Sequence, residues 1–322
     1  MHELRTLFEK YRKEHPIQGE PANLYTPANY ILEIGGKRFR PILTMLAYQL
    51  YRKDWERVLP IAYALEIFHN FSLVHDDIMD AADVRRGFPT VHTKWDLNTG
   101  ILSGDLMLIM AYEYIAQFED STKIPRLLKV FNRVAKGVCE GQQMDIDFEN
   151  RGDVTIPEYI KMIELKTSVL LATCLEMGAI AAGASDEEVA HCYEVGRNIG
   201  IAFQIQDDLL DTFGTADKIG KKVGGDIVQN KKTILILRAL EMAGAEERAW
   251  LLDLMCKPTS NEAEKIEAVK ALLLQLKVPD FAQAKKNEFR ATAFQHLDEL
   301  QVPEEKKTSL RALMENLVTR EY

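Results

Sequence analysis

The chain predicts an all-α fold, and three observations carry that prediction. Apolar residues recur at helical spacing over stretches far longer than an ordinary strand, as in IAYALEIFHNFSLVHDDIMD and EEVAHCYEVGRNIGIAFQIQDDLLDTFG. Strand candidates are almost absent. Start and stop signals agree: Thr26 before Pro27 predicts an N-cap with a first-turn proline, Thr155 and Pro157 flank another start, and Gly183 and Gly214 mark ends.

Taken in order, IAYALEIFHNFSLVHDDIMD gives the first long helix and ILSGDLMLIMAYEYIAQF the second. IPEYIKMIELKTSVLLATCLEMGAIAAG follows, and its SVLLATCLEMGAIAAGA part is apolar almost all round, which predicts an interior helix ringed by others. EEVAHCYEVGRNIGIAFQIQDDLLDTFG completes the long set. Beyond about residue 240, shorter amphipathic helices are broken at Lys257-Pro258, Val278-Pro279 and Val302-Pro303, and predict helical hairpins packed on the outside. No linker rich in Gly, Ser and Pro and no periodic repeat interrupts residues 1–322, so a single domain is expected.

At 322 residues with 47% apolar content, the chain can fill a substantial core. Forty Lys and Arg against 49 Asp and Glu give a formal charge of -9, which offers nucleic acid and anionic membranes no overall attraction. An anionic ligand must therefore meet a local basic cluster. Cys139, Cys174, Cys192 and Cys256 are far apart and sit among apolar residues, which predicts buried thiols rather than redox or zinc chemistry. The charged start, MHELRTLFEKYRKEH, lacks a signal peptide's apolar run, and no uninterrupted apolar stretch approaches the roughly 20 residues of a membrane span. A cytoplasmic protein without stable membrane insertion is the expectation.

The chemistry is concentrated in LVHDDIMDAADVRRG. On an ideal helix Asp76 and Asp80 point within about 40° of each other and Asp77 lies about 100° from Asp76, so neighbouring carboxylates share one helix end. Such groups repel unless solvated or neutralised, and the partner that suits them is a hard cation with oxygen ligands, most simply Mg²⁺. The spacing recurs in FQIQDDLLD, at Asp207, Asp208 and Asp211. Mg²⁺ usually bridges protein carboxylates to substrate phosphates, so two such clusters on apolar helices predict a phosphorylated ligand. Basic groups match: Lys37 and Arg40 beside Gly35-Gly36, Arg85 and Arg86 after the first motif, and Lys221, Lys222, Lys231 and Lys232 after the second. His69, seven positions before Asp76, faces the same side of its helix, and Gln142 and Asp145 in GQQMDID could support a metal site from a third helix.

In this order, GGKRFRP, LVHDDIMDAADVRRG, ELKTS, FQIQDDLLD and GGDIVQNKKT resemble the trans-isoprenyl diphosphate synthases, the polyprenyl synthetase family, over residues 35–233. The resemblance implies a single-domain isoprenoid-synthase-type helical bundle around a central cavity, a homodimer, and head-to-tail condensation of isopentenyl diphosphate with an allylic diphosphate. By that resemblance Asp76, Asp77, Asp80, Asp207, Asp208 and Asp211 coordinate three Mg²⁺ on the allylic diphosphate, which Arg85, Lys166, Lys221 and Lys231 contact. GKKVGGD departs from the family's usual single lysine followed by proline, which leaves Lys221 or Lys222 as the contact. Gly36, Lys37, Arg40, His69 and Arg86 resemble the isopentenyl diphosphate site, and Thr167 and Gln204 look like polar residues beside the reacting carbons.

The resemblance also implies that an aromatic at Phe71, without an insertion in the first motif, limits the product to three or four isoprene units. On the ideal wheel Phe68 lies about 80° from Asp76 and Phe71 about 140°, so Phe68 is the alternative floor. Ser72 leaves the next position small, which puts a geranylgeranyl product ahead of a farnesyl one. Three rivals remain: a longer-chain polyprenyl synthase, a class I terpene cyclase and a non-catalytic synthase subunit. A cyclase usually carries a mixed second motif where DDLLD stands here, and a regulatory subunit is expected to lose aspartates that this chain keeps.

Overall fold

The structure, a computed structural model, describes residues 2–214, 223–256 and 261–319. Among these, strand is confined to one antiparallel hairpin, Val84–Arg85 with Phe88–Pro89, and the fold is all-α as expected. By compactness the chain divides into two units. The first comprises Met1–Asn132, Thr173–Ala190 and Gln301–Leu310; the second comprises Arg133–Ala172, His191–Leu300 and Arg311–Tyr322.

In the first unit, α4 (Leu59–Met79) packs against α1 (His2–Glu14), α2 (Ala22–Glu33), α3 (Phe39–Tyr51), α5 (Val91–Lys94) and α6 (Leu97–Ala116). Being surrounded, α4 buries every residue from Ile61 to Phe68, which is why its sequence lacks a polar stripe. The one charge in that run, Glu66, meets buried Arg38 at 2.7 Å, so an ion that would otherwise be costly to desolvate is paired. Further along, burial narrows to Asn70, Phe71, Val74 and Asp77, one face only, and the helix emerges at the aspartates. The hairpin then turns at Arg86 (φ 54°) and Gly87 (φ 81°), two positive-φ residues of the kind a tight two-residue hairpin requires, and sends Arg85 back toward α4.

The second unit contains the later part of α7 (Ile124–Glu149), α8 (Ile156–Ile163), a π-helical turn (Glu164–Ser168) that leads into α9 (Val169–Ala182), and most of α10 (Asp186–Phe213). It also holds α11 (Gly225–Val228), α12 (Ile234–Met242), α13 (Ala245–Cys256), α14 (Glu262–Gln275) and α15 (Val278–Glu299); α16 (Glu304–Val318) follows. Tyr159, Ile163, Ile205, Leu209, Ile234, Leu237 and Leu273 share its core. Thr155 caps α8 as expected, in a reciprocal capping box with Glu158, and Pro157 occupies the first turn. Helices α9 and α10 end one residue before Gly183 and Gly214.

Two expectations are corrected. Thr26 is not an N-cap: α2 starts at Ala22 behind Pro21, and buried Pro27 sits inside it, where its missing N–H leaves a helical hydrogen bond unmade. Cys139 is exposed, unlike Cys174 and Cys192. On α7 the buried positions nearest Cys139 are Val134, Gly137, Val138 and Gly141, part of a stripe at helical spacing, and Cys139 falls off it by about 100°. Of the three proline breaks, Val278-Pro279 opens α15 and Val302-Pro303 precedes α16, whereas Lys257-Pro258 lies outside the described residues. By length and composition, residues 156–182 are apolar enough to cross a membrane, but 83% of the qualifying window is buried.

Candidate active site

The first aspartate motif belongs to the first unit and the second motif to the second. In the first, Asp77 is the buried carboxylate, at 2% exposure, while Asp76 is half-buried and Asp80 stands exposed at the C-terminus of α4. Arg85 Nε donates to both oxygens of Asp77 at 2.8 Å, and its Nη2 lies 2.7 Å from Asp77 and 3.4 Å from Asp76. A planar guanidinium answers a desolvated carboxylate in this bidentate way, so the residue expected to contact phosphate is paired here with two of the aspartates expected to ligate metal.

The glycine loop before α3 is built from backbone that only glycine adopts easily: Gly35 has φ 95° and Gly36 φ 147°. A Cβ on Gly36 would lie 3.1 Å from the Arg86 guanidinium, which donates to the Gly35 carbonyl. Arg38 follows at φ 53°, locked by Glu9 and Glu66 at 2.7 Å each, and Arg5 ties the Gly36 carbonyl to α1 at 3.0 Å. Two residues later Arg40 Nη1 lies 3.0 Å from His69 Nε2. Burial, reinforced by Arg40, Arg86, Arg85 and Arg38, holds the His69 imidazole well below its usual pKa, so it is neutral at neutral pH. Burial also lowers the pKa of Arg40. Arg38 and Arg85 are paired with carboxylates, so the positive charge offered beside neutral His69 is that of half-buried Arg40 and, at the glycine loop, exposed Arg86, an arrangement suited to an anion.

The second unit places Lys166 and Thr167 on the π-helical turn. That turn approaches α7 so closely that a Cβ on Gly141 would sit 2.3 Å from the Lys166 backbone nitrogen. π-Turns inside helices often mark functional positions, and here the turn aims Lys166 Nζ at Asp145, 2.6 Å away. Near the end of α10, Asp208 is buried while Asp207 and Asp211 are half-buried. Among the described residues, the donors to Asp208 are all neutral: the Tyr159 hydroxyl, the Gln204 amide at 3.4 Å and the Ile234 N–H at 3.4 Å.

Desolvation, and then the charge of Asp226, push the Asp208 carboxyl well above the usual carboxylate range, and burial with Asp208 beside it raises Tyr159 likewise. Asp226 is the residue that sequence reasoning missed. It sits in the first turn of α11 behind Gly224 (φ 82°), its N–H donates to Asp211 Oδ2 at 3.0 Å, and its carbonyl accepts from the Lys231 N–H at 2.9 Å. Acidic oxygens crowded into a desolvated pocket with neutral donors are a donor set for a hard divalent cation, so these residues fit Mg²⁺.

The structure thus joins Arg85 to Asp76 and Asp77, Arg86 to the glycine loop, Arg40 to His69, Gln204 to Asp208 and Lys166 to Asp145. Lys37 is exposed, and the Lys231 N–H donates to the Asp226 carbonyl. Lys221 and Lys222 lie outside the described residues, as do Arg320, Glu321 and Tyr322. Phe68 is 1% exposed, its ring 5.2 Å from Phe131 and 5.5 Å from Phe71, and the Phe71 ring lies 4.9 Å from His75. The Ser72 hydroxyl turns back to the His69 carbonyl at 2.8 Å.

Comparison with known proteins follows the same lines. The polyprenyl synthetase family model matches residues 21–272. A short chain isoprenyl diphosphate synthase of Methanocaldococcus jannaschii is 42% identical over 77% of this chain and 76% of its own. A geranylgeranyl diphosphate synthase of Methanosarcina mazei is 37% identical over 94% of this chain and 91% of its own. A crystal structure of a geranylgeranyl pyrophosphate synthase superposes with a TM-score of 0.95 at 44% identity, covering 100% of this chain and 99% of that one. The paired aspartate motifs, the basic loop and these likenesses lead to one conclusion: the chain belongs to the polyprenyl synthetase family, a family of prenyl-transferring enzymes.

Proposed function

We propose that this protein, as one domain over residues 1–322, condenses isopentenyl diphosphate head to tail (1'-4) with an allylic diphosphate. The product is a short trans-prenyl diphosphate (C15–C20), geranylgeranyl ahead of farnesyl. The observation that supports this most is the guanidinium pocket at Arg40, His69 and Arg86 in the same unit as a buried aspartate motif, since condensation needs an anion site as well as a metal site. Asp76, Asp77, Asp80, Asp207, Asp208 and Asp211, joined by Asp226, would hold Mg²⁺, three ions with substrate bound, whose charge favours departure of the allylic diphosphate.

The chain's own groups do the rest. Arg85, Lys166 and Lys231, with Lys221 or Lys222, grip the leaving diphosphate and stabilise the charge that develops on it. Gly36, Lys37, Arg40, His69 and Arg86 seat isopentenyl diphosphate, with neutral His69 donating or accepting one hydrogen bond without adding charge. Thr167 and Gln204 flank the reacting carbons. Apolar walls keep water from the allylic cation, the double bond of isopentenyl diphosphate attacks it, and the proton then lost passes to the released diphosphate.

Product analysis with isopentenyl diphosphate and a series of allylic primers tests the reading. Elongated prenyl diphosphate that needs both substrates and disappears in EDTA is expected. A hydrocarbon formed from the allylic substrate alone would establish a cyclase, and turnover only with a second subunit would establish a non-catalytic partner. Phe71→Ala, and Phe68→Ala if that ring is the floor, lengthens the product by at least one isoprene unit; an unchanged chain from both variants removes the floor assignment.

The protein acts as a cytoplasmic homodimer in this reading. Support comes from α6, which exposes Leu97, Ile101, Leu102 and Ile109, an apolar face of the kind a partner copy covers. Sedimentation of Leu102→Glu and Ile109→Glu should show monomers where wild type shows dimers.

A further inference from the structure

We propose that His191, His296 and Glu299 form a second metal site, selective for Zn²⁺-type ions and separate from the diphosphate machinery. His191 lies in the second turn of α10, and His296 and Glu299 lie three residues apart in the last turn of α15. Three ligand atoms converge. His191 Nδ1 is 3.0 Å from His296 Nδ1 and 3.2 Å from Glu299 Oε2, and His296 Nδ1 is 3.4 Å from the same oxygen. A tetrahedral ion with bonds of about 2.0–2.1 Å has ligand–ligand edges of roughly 3.3 Å, which this triangle approaches.

Protons satisfy the triangle poorly. With one Nδ1–H among the three atoms, it serves a single neighbour and leaves two lone pairs facing each other; with both histidines protonated there, two N–H groups collide at 3.0 Å. A cation at the centre accepts all three lone pairs. The carboxylate is already oriented for it, because Gln295 Nε2 donates to Glu299 Oε1 at 3.1 Å and turns Oε2 toward the imidazoles. Two imidazoles with one carboxylate suit borderline ions such as Zn²⁺ and do not suit Mg²⁺.

The histidine side chains are 22% and 26% exposed and the glutamate 41%, which leaves the fourth position to water and gives an ion access. Along α10, His191 is sixteen residues from Asp207, about 24 Å on an ideal helix, so the two metal sites are distinct. An ion here pins the N-terminal part of the helix that carries the second aspartate motif to the end of α15. Its role is to stabilise the fold, not to catalyse.

Titration of Zn²⁺, and of Co²⁺ as a spectroscopic probe, into the full-length protein in excess Mg²⁺ tests this. One equivalent should bind, raise Tm and give the intense visible absorption of tetrahedral Co²⁺. His191→Ala and His296→Ala should abolish that equivalent, and Gln295→Ala should weaken it about tenfold. Condensation in Mg²⁺ alone should be unchanged in each variant. His296→Gln, checked by circular dichroism without metal, replaces His296→Ala should the latter not fold. Equal Zn²⁺ binding by wild type and both histidine variants, or no Zn²⁺-dependent rise in wild-type Tm, overturns the proposal.

Discussion

At the first aspartate motif the buried carboxylate, Asp77, meets a guanidinium 2.7 Å away; at the second, the corresponding carboxylate, Asp208, meets a phenol, an amide and a backbone N–H. The two motifs share the spacing DDxxD, and in both the middle aspartate is the one turned inward. Their electrostatics nevertheless differ in kind. In the first unit the protein itself neutralises the buried charge with Arg85. In the second, burial and then the charge of Asp226 make the carboxyl hold its proton more tightly than usual. Residue spacing sets which groups can ligate, and the neighbours set how much a ligand gains by arriving.

The comparison can be broken most forcefully at its cations. If both groups stabilise charge on the departing diphosphate as proposed, Arg85→Ala and Lys166→Ala should each lower kcat by roughly 10²–10³. Only the first should also damage the fold. Removing Arg85 leaves Asp77 buried and unpaired, a loss of about 3–5 kcal/mol in denaturant titrations without metal. Lys166 and Asp145 are each more than a fifth exposed, so their separation costs about 1 kcal/mol or less. Equal destabilisation by the two substitutions would refute the contrast.

A smaller effect belongs to the neutral donors of the second motif. Tyr159→Phe takes the hydroxyl from Asp208 and should cost about 1–3 kcal/mol without metal. Saturating Mg²⁺ should shrink that deficit; a deficit that Mg²⁺ leaves unaltered would mean the hydroxyl serves only packing.

The finest test is the sign of the pH dependence, which should be opposite in the two units. For Asp208 the folded carboxyl has the higher pKa, so the native state binds more protons. Relative to Asp208→Asn, wild type in EDTA should be most favoured below about pH 4 and lose ground as pH rises through the elevated native value. For His69 the folded pKa is the lower one. Relative to His69→Gln, wild type should hold its stability above about pH 6.5 and lose it as pH falls from there through the depressed native value. Parallel slopes for the two pairs would contradict the assigned environments.

Much of the machinery was legible before any coordinates because its signals are local. Two aspartate triplets, each within five residues of an apolar helix, a glycine pair followed by Lys37 and Arg40, and a helix start flanked by Thr155 and Pro157 are all patterns within a few residues of chain. Where a local pattern competed with packing, it misled: Pro27 looked like a helix start and is a buried interior residue of α2, and Cys139 looked like core and lies outside the buried stripe of α7. Asp226 stood in the quoted GGDIVQNKKT segment, but nothing in that segment alone tied it to Asp208, eighteen residues earlier. The backbone bond from Asp226 to Asp211 makes that tie.

What the sequence alone determined, then, is the helical class and the positions of the paired aspartate motifs and the basic clusters, because helical period and residue spacing are properties of neighbouring residues. What only the tertiary structure decided is which carboxylate in each triplet is desolvated and what faces it: Arg85 over Asp77, Tyr159 at Asp208, and likewise Arg40 at His69. It also decided the π-turn under Lys166, which depends on Gly141 leaving room for the backbone of another helix. Burial and charge pairing depend on distances between residues far apart in the chain, and those distances exist only once the helices have packed.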